Sequence, residues 1–236
     1  MATPYTIMIP ARYASTRLPG KPLLEIKGKP LIQHVYETAK HSDAAAIYIA
    51  TDDKRIADAA AAFGAEVIMT SDQHESGTDR LAEAVEQLQL ADDEIVVNLQ
   101  GDEFALPVSL LNQVADNLYG HPDMQMATLC EPITTETEYL DQNVVKVVFD
   151  SDQAALYFSR SPIPAKRGAG MPDRAYRHIG LYAYRVGYLK KYTGLETCEL
   201  ELSEALEQLR VLFHGGKIHV DIAMDKTGIG IDTAED

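Results

Sequence analysis

Four short apolar runs in the first half of the chain are each followed by a helix or a helix-forming stretch, and that alternation limits the fold more than any other feature. Thr6-Ile7-Met8-Ile9 is rich in β-branched residues and lacks period-2 alternation. That is the pattern of a strand covered on both faces, and Pro10 is expected to end it. From Pro30 to about His41 the residues Leu31, Ile32, Val35 and Ala39 recur at helical spacing, with proline where a first helical turn tolerates it. The pattern then repeats: a strand at Ile47–Ala50, an alanine-rich helix from Asp53 to Phe63 stopped by Gly64, and a strand at Glu66–Met69. A helix from Thr78 to Leu90, a strand at Ile95–Leu99 and a helix from Pro107 to Leu118 complete this half. Strands and helices alternating at these lengths predict a doubly wound α/β sheet with right-handed crossovers.

After about Asp123 the texture changes. Met126–Cys130, Val144–Phe149, Ala154–Ser159 and His178–Tyr184 read as strands without long helices between them, so this half is expected to be more antiparallel. Pro162 to Gly170 is a proline- and glycine-rich surface loop. A helix from Glu199 to Leu212 would align Leu202, Leu206, Leu209 and Leu212, a last strand runs from Ile218 to Ala223, and Thr233–Asp236 reads as the start of a capped helix. With no internal repeat and no long linker, the 236 residues are expected to form a single domain.

Charge narrows the function. Thirty-six acids against 21 bases give a formal charge of -15, which argues against nucleic acid or an anionic membrane as partner, since both need a basic face. No run approaches the roughly 18 apolar residues of a membrane span, and the amino terminus lacks a basic segment before an apolar one, so a cytoplasmic protein without membrane insertion is expected. Cys130 and Cys198 stand apart with no metal-ligand spacing and are expected to be ordinary buried thiols.

Any anion site must therefore be local, and one segment offers it. Arg12, Arg17 and Lys21 fall within ten residues after the first strand, with Ser15 and Thr16 as hydroxyl donors and Gly20 allowing close backbone approach. Cations at the carboxyl edge of an α/β sheet mark a ligand site. Neither the P-loop pattern nor the dinucleotide fingerprint is present, which removes the dehydrogenase reading. Gln100-Gly101-Asp102-Glu103 follows another apolar strand; Asp102 suits a Mg²⁺ ion completed by substrate phosphates, although a plain turn also uses Gly-Asp. Asp232, in Gly-Ile-Gly-Ile-Asp-Thr, is a candidate second carboxylate. Ser76-Gly-Thr-Asp-Arg80 offers hydroxyls and an arginine, but equally reads as an N-cap. His178 by itself reads as a packed core histidine.

Taken together, Ile9–Leu23, His74–Arg80, Asn98–Glu103, Ala155–Arg160, His178–Arg185 and Leu206–Arg210 resemble the 3-deoxy-manno-octulosonate (Kdo) cytidylyltransferases over nearly the whole chain and in order. The resemblance implies a nucleotidyltransferase-type doubly wound mixed α/β sheet. Its more antiparallel second half, about residues 123–190, is implied as a sugar-side and dimerisation lobe of a homodimer. It also implies the reaction CTP plus Kdo giving CMP-Kdo and pyrophosphate, for lipopolysaccharide biosynthesis. Carried onto this sequence, Arg12, Ser15, Arg17 and Lys21 hold the CTP phosphates, with Arg17, Lys21 and Asp102 catalytic. Ser76, Gly77 and Arg80 belong to the nucleotide pocket; Gln100, Arg160, His178, Tyr182 and Glu207 surround the sugar; Asp102 and Asp232 hold Mg²⁺.

Three departures fall near the sugar: Phe104 where the family commonly has proline, Ala165 in place of an aromatic residue, and Cys198–Ala205 without its usual proline. They suggest an alternative sugar altered at its far end, such as 8-amino-8-deoxy-Kdo, with Glu201 and Glu204 as partners for its ammonium. Transfer to a sialic acid or a sugar phosphate, and a non-catalytic CTP-binding regulator, are the remaining alternatives.

Overall fold

The computed structural model describes residues 3–14, 19–74, 76–104 and 106–227. In chain order the elements are β1 (Thr6–Ala11), a 3-10 turn (Lys21–Leu23), β2 (Glu25–Ile26), β3 (Lys29–Pro30), α1 (Leu31–Ala39), β4 (Ala46–Thr51), α2 (Lys54–Ala62), β5 (Glu66–Met69), α3 (Gly77–Gln87) and β6 (Ile95–Asn98). The second half adds α4 (Val108–Gly120), β7 (Met126–Pro132), α5 (Glu136–Leu140), β8 (Lys146–Phe149), β9 (Ala155–Ser159), β10 (Tyr176–Arg185), α6 (Val186–Tyr192), α7 (Glu199–Glu204), α8 (Gln208–Phe213) and β11 (Ile218–Ile222).

The main sheet has the order β11-β7-β10-β6-β1-β4-β5, with β8 paired to β10 and β9 to β8. β1 lies parallel between β4 and β6, and β5 continues the parallel half. β10 runs antiparallel between β6 and β7, and β8 and β9 form an antiparallel pair, whereas β11 is parallel to β7. The expected mixed sheet, more antiparallel in its second half, is therefore present.

Both faces are covered, as the unalternated apolar strands required. Ile7, Ile9, Ile95 and Val97 pack against Ile32 and Val35 of α1, Ile56 of α2 and Leu110, Leu111 and Val114 of α4. Met8 and Val96 face the other way, against Leu81 and Val85 of α3, Leu189 of α6 and Leu209 of α8. Cys130 and Cys198 are free and buried, and burial pushes the Cys130 thiol up to about 12.

Two expectations are corrected. β1 runs through Pro10 to Ala11, in register with Ala50 and Thr51 of β4. The Met8 carbonyl accepts from Leu99 N–H at 3.0 Å on the β6 side. Proline two residues on has its missing N–H on that same side, beyond the last β1–β6 pair at Asn98, so no ladder bond is lost. The expected helix from Glu199 to Leu212 is two helices, broken at Ala205 with φ 51°. Glu201 grips the Arg210 guanidinium at 2.6 and 2.7 Å. Nine residues would separate the two by about 13.5 Å along one straight helix, so this ion pair requires the break. The segment Thr233–Asp236 lies outside the described residues.

Candidate active site

β1 and β6 are neighbours, and their carboxyl ends place two distant loops in contact. A side chain at Gly101 would put its Cβ 3.0 Å from the Pro10 carbonyl and 3.2 Å from Ile32. Only glycine lets the β6 loop close this tightly on the end of β1. The result is that Asp102 Oδ2 accepts from Lys21 Nζ at 2.6 Å, although the residues are 81 positions apart. Lys21 is held from its own side by Gly20, whose N–H donates to the Tyr13 carbonyl at 2.8 Å and whose φ of 74° favours glycine. The Tyr13 ring lies against Gly20 and carries the Arg55 guanidinium 3.3 Å above it. The cationic loop is thus pinned at its base to the sheet edge.

Beside this pair lies a cavity of about 410 Å³, within the range of small-molecule sites. Arg12, Ser76 and Gly77 line it together with Gln100, Tyr182 and Glu207, so residues expected on the nucleotide side and on the sugar side share one pocket. Ser76 caps α3 in a reciprocal box with Asp79, and its neighbour Gly77 packs on Pro10. Capping and lining are both realised at this turn. Glu207, whose carboxylate accepts from Thr78 Oγ1 at 3.1 Å, is pushed above the usual carboxylate range by burial. Tyr182 and Tyr184 are likewise raised by burial.

Besides Lys21 and Asp102, which stand next to this cavity, three further expected residues are not among those lining it. The Arg80 guanidinium is fully buried and bonded to Thr70, with Asp52 at 3.4 Å. Arg160 donates to the backbone carbonyls of Glu204 at 2.6 Å, Gln142 at 3.2 Å and Ala205 at 3.4 Å, so it clamps the α7–α8 junction. His178 stands behind Tyr182, its ring 5.3 Å away, with Nε2 3.0 Å from Thr128 Oγ1; burial pushes it down to about 3. Ser15, Arg17 and Asp232 lie outside the described residues. Glu201 and Glu204, expected to meet an ammonium, are engaged within the fold: Glu201 by Arg210, and Glu204 by Ser159 Oγ at 2.6 Å and Arg160 N–H at 2.8 Å.

The lining also includes Thr78, Asn98, Tyr184, Tyr192 and Gln208, which the sequence reading did not single out. For Asn98 a signal existed: it is the polar end of an apolar strand, two residues from Val96 and so on the same face.

A Mg²⁺ ion was expected at Asp102. Its carboxylate is a hard oxygen donor at the sheet edge with a side chain 40% exposed. Among the described residues no three His, Cys, Asp or Glu cluster together, and a phosphate-completed Mg²⁺ needs only one or two carboxylates. The donor chemistry fits.

Comparison with known proteins identifies the family. A family model described as cytidylyltransferase matches residues 6–218. The 3-deoxy-manno-octulosonate cytidylyltransferase of Thioalkalivibrio sulfidiphilus (strain HL-EbGR7) is 53% identical, covering 98% of this chain and 95% of that protein. The protein of the same name from Hahella chejuensis (strain KCTC 2396) is 54% identical, covering 98% and 94%. A solved CMP:2-keto-3-deoxy-manno-octonic acid synthetase complexed with CTP superposes with a TM-score of 0.91 at 45% identity, covering 98% of this chain and 94% of that one. A 4-diphosphocytidyl-2C-methyl-D-erythritol synthase shares only the fold, at a TM-score of 0.63 and 12% identity. With such identity sustained over 98% of its length, the chain belongs to the 3-deoxy-manno-octulosonate cytidylyltransferase family.

Proposed function

We propose that the protein joins CTP to Kdo, releasing pyrophosphate and giving CMP-Kdo for lipopolysaccharide assembly. The observation that carries this reading is the shared pocket, in which Arg12, Ser76 and Gly77 meet Gln100, Tyr182 and Glu207 beside the Lys21–Asp102 pair. The anomeric 2-hydroxyl attacks the α-phosphorus in line with departing pyrophosphate. Both substrates are anions, so the chain's work is to bring them together and offset their repulsion. Lys21, oriented by Asp102, and Arg12 face the phosphates, and the reading assigns Ser15 and Arg17 to the phosphates as well. Ser76 and Gly77 border the nucleotide, and Gln100, Tyr182 and Glu207 orient the polyol. The reading assigns Mg²⁺ to Asp102 and Asp232; when bound, such an ion offsets charge on the phosphate oxygens. No step requires a covalent enzyme intermediate.

A second reading keeps the reaction and changes the sugar to 8-amino-8-deoxy-Kdo. Glu201 and Glu204 are already engaged, but Glu207 presents a carboxylate to the cavity and supports an ammonium partner there. For the assembled enzyme we propose a homodimer formed through the second half, where Leu156 on β9 is 61% exposed.

The test is pyrophosphate release with Mg²⁺ and CTP, offering Kdo, 8-amino-Kdo and a sialic acid in parallel, on protein whose mass is measured by light scattering. Release with Kdo at about twice the 26.0 kDa chain mass is expected. A clear preference for the amino sugar establishes the second reading. Silence with all three sugars, from protein that still binds CTP, leaves the regulator in its place.

A further inference from the structure

One buried oxygen at the cavity wall has no internal hydrogen-bond partner among the described residues. Asn98 closes β6, is 2% exposed and lines the pocket, yet its Oδ1 has no hydrogen-bond partner among the described residues. A buried carbonyl oxygen left without a donor is costly and uncommon, so its persistence inside a ligand cavity calls for a donor from the ligand. Its surroundings say which kind. Asn98 lies in register with Tyr182, its side chain and that of Thr78 hydrogen-bond the Tyr184 hydroxyl, and Thr78 donates to Glu207, so the amide nitrogen has a partner and the amide oxygen does not. This wall presents an amide oxygen beside a carboxylate. Such a pair repels phosphate and sugar carboxylate, which find Arg12 and Lys21 at the sheet edge, and accepts a hydroxyl.

The geometry points to Asn98 as a specificity-determining residue, its carboxamide oxygen accepting a hydrogen bond from a single hydroxyl of the acceptor sugar at the buried end of the pocket. This rests on the cytidylyl transfer proposed above. A site built around such a bond discriminates strongly against the analogue lacking the hydroxyl, because the amide oxygen is then left unpaired.

The experiment compares wild type and Asn98→Leu, a variant of similar shape, on Kdo and on analogues each lacking one hydroxyl away from the anomeric centre. CTP affinity is measured in parallel. Asn98→Leu is expected to lower kcat/KM for Kdo by about 10- to 100-fold, with CTP Kd changed by less than about twofold. One deoxy analogue should be a comparably poor substrate for the wild type and lose nothing further in the variant. Equal losses on every analogue, or a loss confined to CTP affinity, overturn the assignment. If Asn98→Leu does not fold, the wild-type scan decides: no single deletion costing more than about twofold overturns it equally. Wild-type silence with every octulosonate overturns the transfer reaction and this assignment together, whereas turnover without coupling overturns the assignment alone.

Discussion

Asp102 carries its charge where a side chain is cheap to remove and costly to lack. Its carboxylate is 40% exposed and accepts from Lys21, so Asp102→Ala leaves no large cavity. The expected result is a fall in kcat of about 10³-fold or more, with the unfolding free energy from urea titration changed by no more than about 1 kcal/mol. Near-normal turnover would sink the metal assignment. At this scale the sequence was informative where chemistry clustered along the chain: Arg12 and Lys21, Ser76 and Gly77, Gln100 and Asp102. It was less so for Arg160, His178, Glu201 and Glu204. A guanidinium can also be taken up by backbone carbonyls inside the fold, as it is for Arg160. Nothing in the linear order of Glu204 and Arg160 shows that they meet 44 positions apart.

Elements place these residues, and the decisive contact is between the ends of β1 and β6. Gly101→Ala must displace the Pro10 carbonyl or the loop carrying Asp102, because that carbonyl oxygen, 3.0 Å from the added Cβ, is backbone and cannot rotate away as a side chain would. The expected outcome is a drop in kcat of about 10- to 100-fold, as for a misplacement of about 1 Å. Thermal unfolding should fall only slightly, since the main core clusters are untouched. An unchanged kcat would mean that the Lys21–Asp102 distance does not matter. Strand identities were legible because each apolar run lacked alternation, and the buried patterns of β1 and β6 show why. The α7–α8 break was not legible. It is caused by the Glu201–Arg210 pair and by Arg160 on the Ala205 carbonyl, both tertiary contacts, against a leucine spacing that favoured one helix. α6, seven residues long, was missed because so short an element carries little periodicity; Val186 and Gly187 donate to the Glu94 and Asp92 carbonyls at its start.

On the scale of the whole molecule, two histidines, His219 fully buried and His178 partly so, set an acid limit on stability. His219 on β11 is 1% exposed and stacks on His121 at 4.0 Å; burial, then the nearby His121, push it down to about 4. His178 is pushed down to about 3 by burial. Between the ordinary histidine value of 6.5 and those values, the unfolded chain binds protons that the folded chain refuses, so stability falls as pH falls through this window. For His219 the full effect is up to about 3 kcal/mol. Glu207, raised by burial, acts in the opposite sense, losing stability as pH climbs above 4.5. Urea unfolding of His219→Phe, which keeps a stacked ring without a proton site, should show a flatter dependence between pH 6.5 and 4 than wild type. An identical slope would assign the acid sensitivity elsewhere. The sequence by itself determined the doubly wound sheet and the family, because apolar periodicity and the motifs that carry the resemblance are local along the chain. Only the tertiary structure decided which polar groups face the pocket and which are consumed inside the fold. That choice depends on desolvation and on partners brought together from distant positions: Asn98 lines the pocket with its amide oxygen unpartnered, whereas the Arg160 guanidinium goes to backbone carbonyls and the Glu204 carboxylate to Ser159 and the Arg160 N–H.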